Sequence, residues 1–127
     1  MARYLTGSFL EGALSRGASI EQFLGGRRLA AGSTIRWIEI RPSGHCFEVW
    51  LFESPDLGGL DFCDIYEFAG DSGPDAPAYV GHSTQEALDY CEHHLGASND
   101  SWVNGGIAES EYLDFVRAGR PSAWPAK

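Results

Sequence analysis

The chain is poor in lysine and has no positive charge across its middle. Lys127 is the only lysine among its 127 residues, and none of the residues from 42 to 116 is Lys or Arg. Fifteen of the 18 acidic residues fall in that stretch, which we call the acidic middle, and the formal net charge is −9. A surface of this kind repels nucleic acid, and it either serves solubility or attracts cationic partners. We therefore expect no direct binding to DNA or RNA.

Long apolar runs are also missing, and we expect no secretion signal. No run approaches the roughly 20 apolar residues that a transmembrane helix needs, and polar residues interrupt the N-terminal segment. Cys46, Cys63 and Cys91 are an odd number of cysteines without C-x-x-C spacing, which favours reduced thiols. The sequence thus predicts a cytoplasmic protein with no membrane partner. Eight arginines beside one lysine are typical of GC-rich bacterial genomes.

Motifs that would identify a common enzyme are absent as well. The sequence contains neither a P-loop nor a dinucleotide-binding glycine fingerprint. The segment "GDSGP" at 70–74 resembles the surroundings of the nucleophile in chymotrypsin-like proteases. That fold is far longer than this chain, and no suitable His and Asp precede Ser72. A calcium loop here would lack the alternating acids and terminal Glu of an EF-hand. We interpret the segment as a surface loop.

The densest group of chemically versatile residues is "ALDYCEHHLG" at 87–96. On a helix, Cys91 falls on the apolar side, His94 flanks it, and His93 points the opposite way. Cys91 and His94 alone could share a ligand, whereas a zinc site needs three or four ligands. The remaining zinc ligands would have to come from His45, Cys46, Cys63 or His82. We expect no metal or cofactor, and we place Cys91 in the core.

The first half of the chain changes from helical to β patterning. Apolar spacing from Phe9 to Leu14 predicts a helix closed by Gly17. A Ser19-x-x-Gln22 capping box predicts a second, short helix over 20–24. The segments "TIRWIEI" and "HCFEVWLFE" flank the turn signal "RPSG" and predict a hairpin. "LDFCDIYEF" is expected to add a third strand, and "AYVG" a short edge strand.

The predicted sheet has no clearly polar face. Symmetric turns place Trp37, Val49 and Asp64 on one face, where a buried Asp64 carboxyl would demand a hydrogen-bonding partner. The other face would carry Ile38, Ile40, Cys46, Glu48, Trp50, Cys63, Ile65 and Glu67. We therefore expect helices to cover one face, and a helix, loop or partner to shield part of the other.

Two helices are expected near the C-terminus. "STQEALDYCEHHLG" begins with a Ser83-x-x-Glu86 capping box and ends at Gly96. "ESEYLDFVRAG" should face inward through Leu113 and Val116, with Trp124 tethering the tail. The predicted fold is one α+β domain over 1–127. It has a short N-terminal helical segment and an antiparallel meander of three or four strands, with both C-terminal helices packed on one sheet face.

Aromatic residues set among acids suggest a protein-binding surface. Large rings can anchor a partner while carboxylates steer it, although we expect at least two of Trp50, Phe52, Tyr66 and Trp102 to fill the core. The favoured hypothesis is a small acidic, non-enzymatic binder, such as an immunity or antitoxin-type protein that occludes a basic partner. The predicted partner-binding residues are Glu48, Trp50, Asp61, Glu67, Asp71, Asp75 and Trp102.

The alternative hypothesis is a small-ligand-binding protein or an enzyme. Its pocket would lie between the sheet and the C-terminal helices. The side chains available for chemistry there would be Asp64, His82, Cys91 and His94.

Overall fold

The computed structural model of the protein describes residues 3–30, 32–69 and 73–125. Within these residues the chain forms four helices and five strands. In chain order they are α1 Gly7–Ser15, β1 Ile20–Leu29, β2 Gly32–Ser43, β3 Cys46–Pro55, α2 Ile65–Ala69, β4 Tyr79–Gly81, α3 Thr84–His94, β5 Val103–Asn104 and α4 Ala108–Arg117. None of the helices in the described part of the chain has the length and apolar content needed to cross a membrane.

The strands form one antiparallel sheet in the order β4-β3-β2-β1-β5. Strands β1 to β4 follow one another as a meander, and β5 returns to pair with the other side of β1. This arrangement confirms the α+β class, the β2–β3 hairpin and the edge strand at "AYVG". The sheet in the described residues has five strands rather than three or four, because residues 20–29 and 103–104 also pair.

The β2–β3 hairpin turns later than the sequence indicates. Ser43 pairs with Cys46, so the turn consists of Gly44 and His45. Gly44 has a φ of 62°, which a two-residue hairpin turn requires and glycine adopts easily. The shifted turn changes the register: Trp37 pairs with Phe52, and Val49 therefore lies on the opposite face from Trp37. The predicted faces were therefore wrong for β3, whose side chains lie on the opposite faces from those expected.

Helices cover both faces of the sheet. Helices α1 and α3 pack on the face that carries Ile38 and Ile40. Helices α2 and α4 pack on the face that carries Trp37 and Phe52. The two C-terminal helices, α3 and α4, therefore lie on opposite faces, and the prediction that they share one face is wrong. Burial on both sides explains why neither strand face reads as polar.

Residues 20–24 belong to β1, so the predicted short helix is wrong. Strand β1 lies between β2 and β5, and its side chains enter both cores: Ile20 packs under α1 and α3, and Phe23 packs under α4. Gln22 does not cap a helix. Its side-chain amide instead makes two hydrogen bonds with the backbone of Ser98. Gln22 Nε2 donates to the Ser98 carbonyl oxygen at 2.9 Å, and the Ser98 N–H donates to Gln22 Oε1 at 2.8 Å. Tertiary burial here outweighs the local capping signal.

The predicted third strand, "LDFCDIYEF", is also wrong. Residues 59–62 make a tight turn and α2 begins at Ile65. Ile65 and Phe68 are buried at helical spacing. Asp64 is half-buried, and its Oδ1 accepts a hydrogen bond from the backbone N–H of Glu67 at 3.3 Å. Asp64 therefore begins a helix and does not lie on an apolar sheet face beside Val49.

Three predicted helices are confirmed, one of them with a different buried face. Helix α1 covers the apolar spacing at its predicted place. Helix α3 starts at the Ser83 cap, whose Oγ accepts a hydrogen bond from the Glu86 N–H at 3.1 Å. Helix α4 buries Tyr112 and Phe115, whereas Leu113 and Val116, the residues expected to face inward, are only half-buried.

The tail after α4 is held by an aromatic contact, as expected. The Trp124 ring lies 6.1 Å from that of Phe23 and 5.7 Å from that of Phe115, both edge-on. The tail therefore packs along the same sheet face as α4.

Candidate functional site

A short loop between β3 and α2 concentrates exposed apolar side chains. Leu57 and Leu60 are each 61% exposed, and Phe62 is 42% exposed. We call residues 56–62 the apolar loop. In the described part of the chain, the exposed large apolar side chains are Tyr4, Phe9, Leu57, Leu60, Phe62 and Val80. Half of them therefore lie in this one loop. Clustered exposed apolar side chains mark interaction sites more often than scattered ones do.

The start of the apolar loop is anchored to the rest of the fold. Asp56 donates its backbone N–H to the carbonyl oxygen of Ser33 at 3.0 Å. Its carboxylate accepts hydrogen bonds from the Tyr112 hydroxyl and from Arg120 Nε, the latter at 2.8 Å. Arg120 Nη2 also donates to the Gly58 carbonyl at 2.8 Å. The loop is thus tied to β2, to α4 and to the segment after α4.

The tip of the apolar loop is equally constrained. Gly59 and Phe62 exchange two backbone hydrogen bonds, of 2.9 and 3.2 Å, around the two-residue tip 60–61. A Cβ at Gly58 would lie 2.3 Å from both the Phe62 carbonyl oxygen and Phe68 Cζ. The loop backbone is therefore held in one arrangement, which lowers the backbone entropy lost when a partner binds.

Two of the predicted acidic residues lie in this loop or next to it. Asp61 is exposed at the tip. Glu67 is exposed on α2 and precedes Phe68, whose ring lies 4.9 Å from that of Phe62. A third carboxylate near α2 belongs to Glu109. Its pKa is raised mainly by partial burial and, to a smaller extent, by the nearby Asp64 carboxylate. The exposed carboxylates of Asp61 and Glu67 therefore place negative charge at the tip of the loop and on the neighbouring helix.

The predicted residues Glu48 and Trp50 lie on β3 and contact each other. Trp50 Nε1 donates to Glu48 Oε1 at 3.0 Å. The guanidinium carbon of Arg41 lies 4.4 Å from the Trp50 ring centroid, and its Nε pairs with Glu39 Oε1 at 2.7 Å. Arg41 comes from outside the acidic middle, so the potential around Trp50 is less negative than the sequence indicates. Both predicted residues are half-buried.

The remaining predicted residues do not join this surface. Trp102 is 0% exposed in the core beneath α1 and α3, and its Nε1 donates to Asn99 Oδ1 at 3.4 Å. It has no surface to offer a partner in this conformation. Phe52 is buried too, so two of the four aromatics fill the core as expected. Asp75 is exposed in the segment before β4. Asp71 lies outside the described residues.

Leu57, Leu60 and Phe62 are not among the residues that the sequence predicts for the site. A signal for the first two was present in "PDLGGL", where leucines alternate with turn-forming residues. In a tight turn of this kind, a leucine side chain tends to stay exposed to solvent. Leu60 and Phe62 also belong to the strand predicted by "LDFCDIYEF", which does not form.

Two buried carboxylates have structural roles. Glu21 is 3% exposed; its Oε1 accepts the backbone N–H groups of Gly106 and Ala108 at 2.9 and 3.1 Å, and its Oε2 accepts the Tyr66 hydroxyl at 2.5 Å. Because α4 begins at Ala108, Glu21 caps that helix from strand β1. Burial and this carboxylate raise the pKa of Tyr66. The other buried carboxylate, Glu111, is bound by Arg3 and Tyr4.

The Cys/His cluster is divided as the helix geometry predicts. Cys91 is 0% exposed, and burial raises the pKa of its thiol to about 12. His93 and His94 are exposed, and the His94 ring lies 4.8 Å from that of Tyr90. Cys46 Sγ lies 3.7 Å from His82 Nδ1. Across residues 3–30, 32–69 and 73–125, no three His, Cys, Asp or Glu side chains are grouped so that they could hold a metal ion.

The residues of the alternative hypothesis do not share one pocket. Asp64 lies beside α2 on one sheet face, and Cys91 lies under α3 on the other. Ser72 of "GDSGP" lies outside the described residues. Comparison of the chain with protein-family models, with curated proteins and with solved structures found no match.

Proposed function

We propose that the protein is a non-enzymatic binding module that docks a basic partner protein through the apolar loop. One observation carries this proposal. Three exposed apolar side chains, those of Leu57, Leu60 and Phe62, lie on an anchored loop in a 75-residue stretch without Lys or Arg. Apolar anchors surrounded by charge are the usual anatomy of a specific interface.

The chemistry of the partner follows from the charge around the loop. Asp61 and Glu67 are exposed beside the apolar side chains, and like-charged surfaces would be repelled. A cationic partner would be attracted and oriented before contact, at a rate that depends on salt. The leucine and phenylalanine side chains would then fill an apolar recess on that partner.

The most concrete form of this proposal is an immunity or antitoxin-type inhibitor acting in the cytoplasm. A rigid loop with an acidic tip suits insertion into the cationic active-site cleft of a toxin. The inhibitor itself needs no catalytic group, because occlusion alone would stop the partner's activity.

The apolar half of the proposal is tested by capture with matched variants. Wild-type protein, a Leu60→Ser/Phe62→Ser variant and a Phe9→Ser control are immobilised and exposed to native lysate at low salt. Phe9 is 71% exposed on α1, on the opposite sheet face, so its replacement removes a comparable apolar side chain from elsewhere. A retained protein is purified and its Kd for each variant is measured.

We expect wild type and the control to retain the same basic protein with the same Kd. The loop variant should bind it at least about 100-fold more weakly, since two interface anchors are lost. Equal binding by the loop variant and wild type would overturn the proposal, as would a retained protein that is acidic.

The electrostatic half is tested by association rates. Asp61→Asn/Glu67→Gln should slow association several-fold at low salt. The difference should disappear near 0.5 M salt, where the Debye length falls to about 4 Å. An unchanged rate at low salt would show that these carboxylates do not steer the partner.

A further inference from the structure

A cleft of about 480 Å³ opens where the β1–β2 hairpin meets the segment after α4. Its volume lies within the range of about 300–1,000 Å³ that is typical of small-molecule sites. Asp56, the first residue of the apolar loop, lies on one side of it. Phe115 contributes an apolar wall.

The cleft gathers cations in a protein that is otherwise acidic. Arg27, Arg28 and Arg120 all line it, although the net charge of the chain is −9. Arg120 is paired with Asp56 at 2.8 Å. For Arg27 and Arg28, no carboxylate of the described residues lies within ion-pair distance. Two guanidinium groups thus remain available to an anion.

The wall of the cleft also contains an unpaired hydroxyl. Thr34 lines the cleft, and its buried Oγ1 has no hydrogen-bond partner in the described part of the chain. Buried polar atoms are normally paired, and leaving one unpaired costs stability. Because this hydroxyl is covered in the structure, a ligand oxygen would provide the missing partner once the Thr34 side chain turns towards the cleft.

We propose that this cleft binds a small organic anion, one with a carboxylate or phosphate group and an apolar body. Guanidinium groups bind both kinds of oxyanion through charge-assisted hydrogen bonds. Arg27 and Arg28 hold the anionic group, Thr34 bonds one of its oxygens, and Phe115 contacts the apolar body. This site is separate from the exposed tip of the apolar loop and does not depend on the docking function proposed above.

Calorimetric titration of the full chain with phenyl phosphate and with benzoate tests the proposal. The two probes share an apolar ring and differ in their anionic group, so the tighter one identifies the preferred chemistry. Arg27→Gln/Arg28→Gln removes the two available guanidinium groups. Arg16→Gln/Arg117→Gln is the matched control, because it removes the same charge from exposed residues that do not line the cleft.

We expect one probe to bind with one-to-one stoichiometry and the Arg27/Arg28 variant to bind it at least about tenfold more weakly. The control should stay within about twofold of wild type. Thr34→Val, which keeps the side-chain shape, should weaken binding by about threefold or more. If neither probe binds with a Kd below about 1 mM, or if the control loses as much affinity as the cleft variant, the cleft is not a specific anion site.

Discussion

Arg120 and Asp56 form an ion pair, with 2.8 Å between Nε and Oδ2, at the point where the apolar loop leaves the sheet. The Asp56 side chain is almost fully buried and also accepts the Tyr112 hydroxyl. Both residues of the pair line the cleft proposed above as an anion site. This single contact therefore supports the base of the proposed docking loop and one wall of the proposed anion site.

Replacing Asp56 should destabilise the fold. Asp56→Ala leaves the Tyr112 hydroxyl and the Arg120 guanidinium without their acceptor, and we expect a loss of about 2 kcal/mol in the free energy of unfolding. Water can still reach the partly exposed Arg120, which keeps the loss moderate. Urea unfolding measures the change. Asp75→Ala, at an exposed aspartate, should change stability by less than about 0.5 kcal/mol, and equal effects of the two substitutions would refute the anchoring role.

Adjacent glycines in the apolar loop should respond differently to alanine. A Cβ at Gly58 would meet backbone and ring atoms at 2.3 Å, whereas a Cβ at Gly59 has no atom within 4 Å. We expect Gly58→Ala to cost about 2 kcal/mol or more, because the loop must shift. Gly59→Ala should be neutral or slightly stabilising, because it restricts the unfolded chain. Thermal unfolding of the two variants compares them directly, and similar melting temperatures would contradict the tight packing at Gly58.

Glu21 should be far more sensitive to alanine than to glutamine. Glu21→Ala leaves the Gly106 and Ala108 N–H groups and the Tyr66 hydroxyl unpaired, which we expect to cost about 3 kcal/mol. Glu21→Gln keeps an acceptor for the helix cap and should cost about 1 kcal/mol. Glu39→Ala, at a half-buried residue, is a control with an expected loss below about 1 kcal/mol. Equal losses for the Ala and Gln variants of Glu21 would show that its hydrogen bonds do not stabilise α4.

Alkaline pH should weaken the fold through buried groups. The pKa of the Cys91 thiol is raised from 9.0 to about 12 by burial, and that of Tyr112 from 10.0 to about 12 by burial and the bond to Asp56. Above pH 9 the unfolded chain releases protons that the folded chain keeps. The stabilising contribution is therefore complete below that pH and is lost as the pH rises towards about 12.

The Cys91 share of this pH dependence can be isolated by substitution. Between the unfolded and folded pKa values of such a group, the free energy of unfolding falls by about 1 kcal/mol per pH unit. Cys91→Ala should therefore flatten the decline in unfolding free energy above pH 9 by about that amount. Identical slopes for wild type and variant would contradict the burial of a protonated thiol.

The two capping-box patterns show what the sequence could predict about the fold. Ser83 caps α3 as expected, because the apolar residues that follow lie on one side of a helix. Ser19 precedes a strand, because Ile20 and Phe23 are buried on opposite faces of the sheet. The pairing of β1 with residues 103–104, far along the chain, contributes to that burial. Local patterns therefore predicted the β2–β3 hairpin, α3 and the edge strand, but not β1 or α2.

The sequence predicted the acidic residues of the candidate site but not the loop that exposes its apolar side chains. Asp61 and Glu67 were identified because acidic residues are visible as composition. The exposure of Leu60 depends on the turn closed by Gly59 and Phe62, and that turn replaces an expected strand. Trp102 was expected at the surface, but its burial depends on α1 and α3 packing over it. Contacts between distant segments decide both outcomes.

Photo-crosslinking from the tip of the apolar loop tests the docking surface most directly. Benzoylphenylalanine replaces Leu60 in one variant and Phe9 in another, both are expressed in the cells that make the protein, and adducts are identified by mass spectrometry after irradiation. We expect the position 60 variant to form one dominant adduct with a basic protein, and the position 9 variant to lack that adduct. The absence of an adduct at position 60, or the same adduct at both positions, would contradict the assignment of the apolar loop as the docking surface.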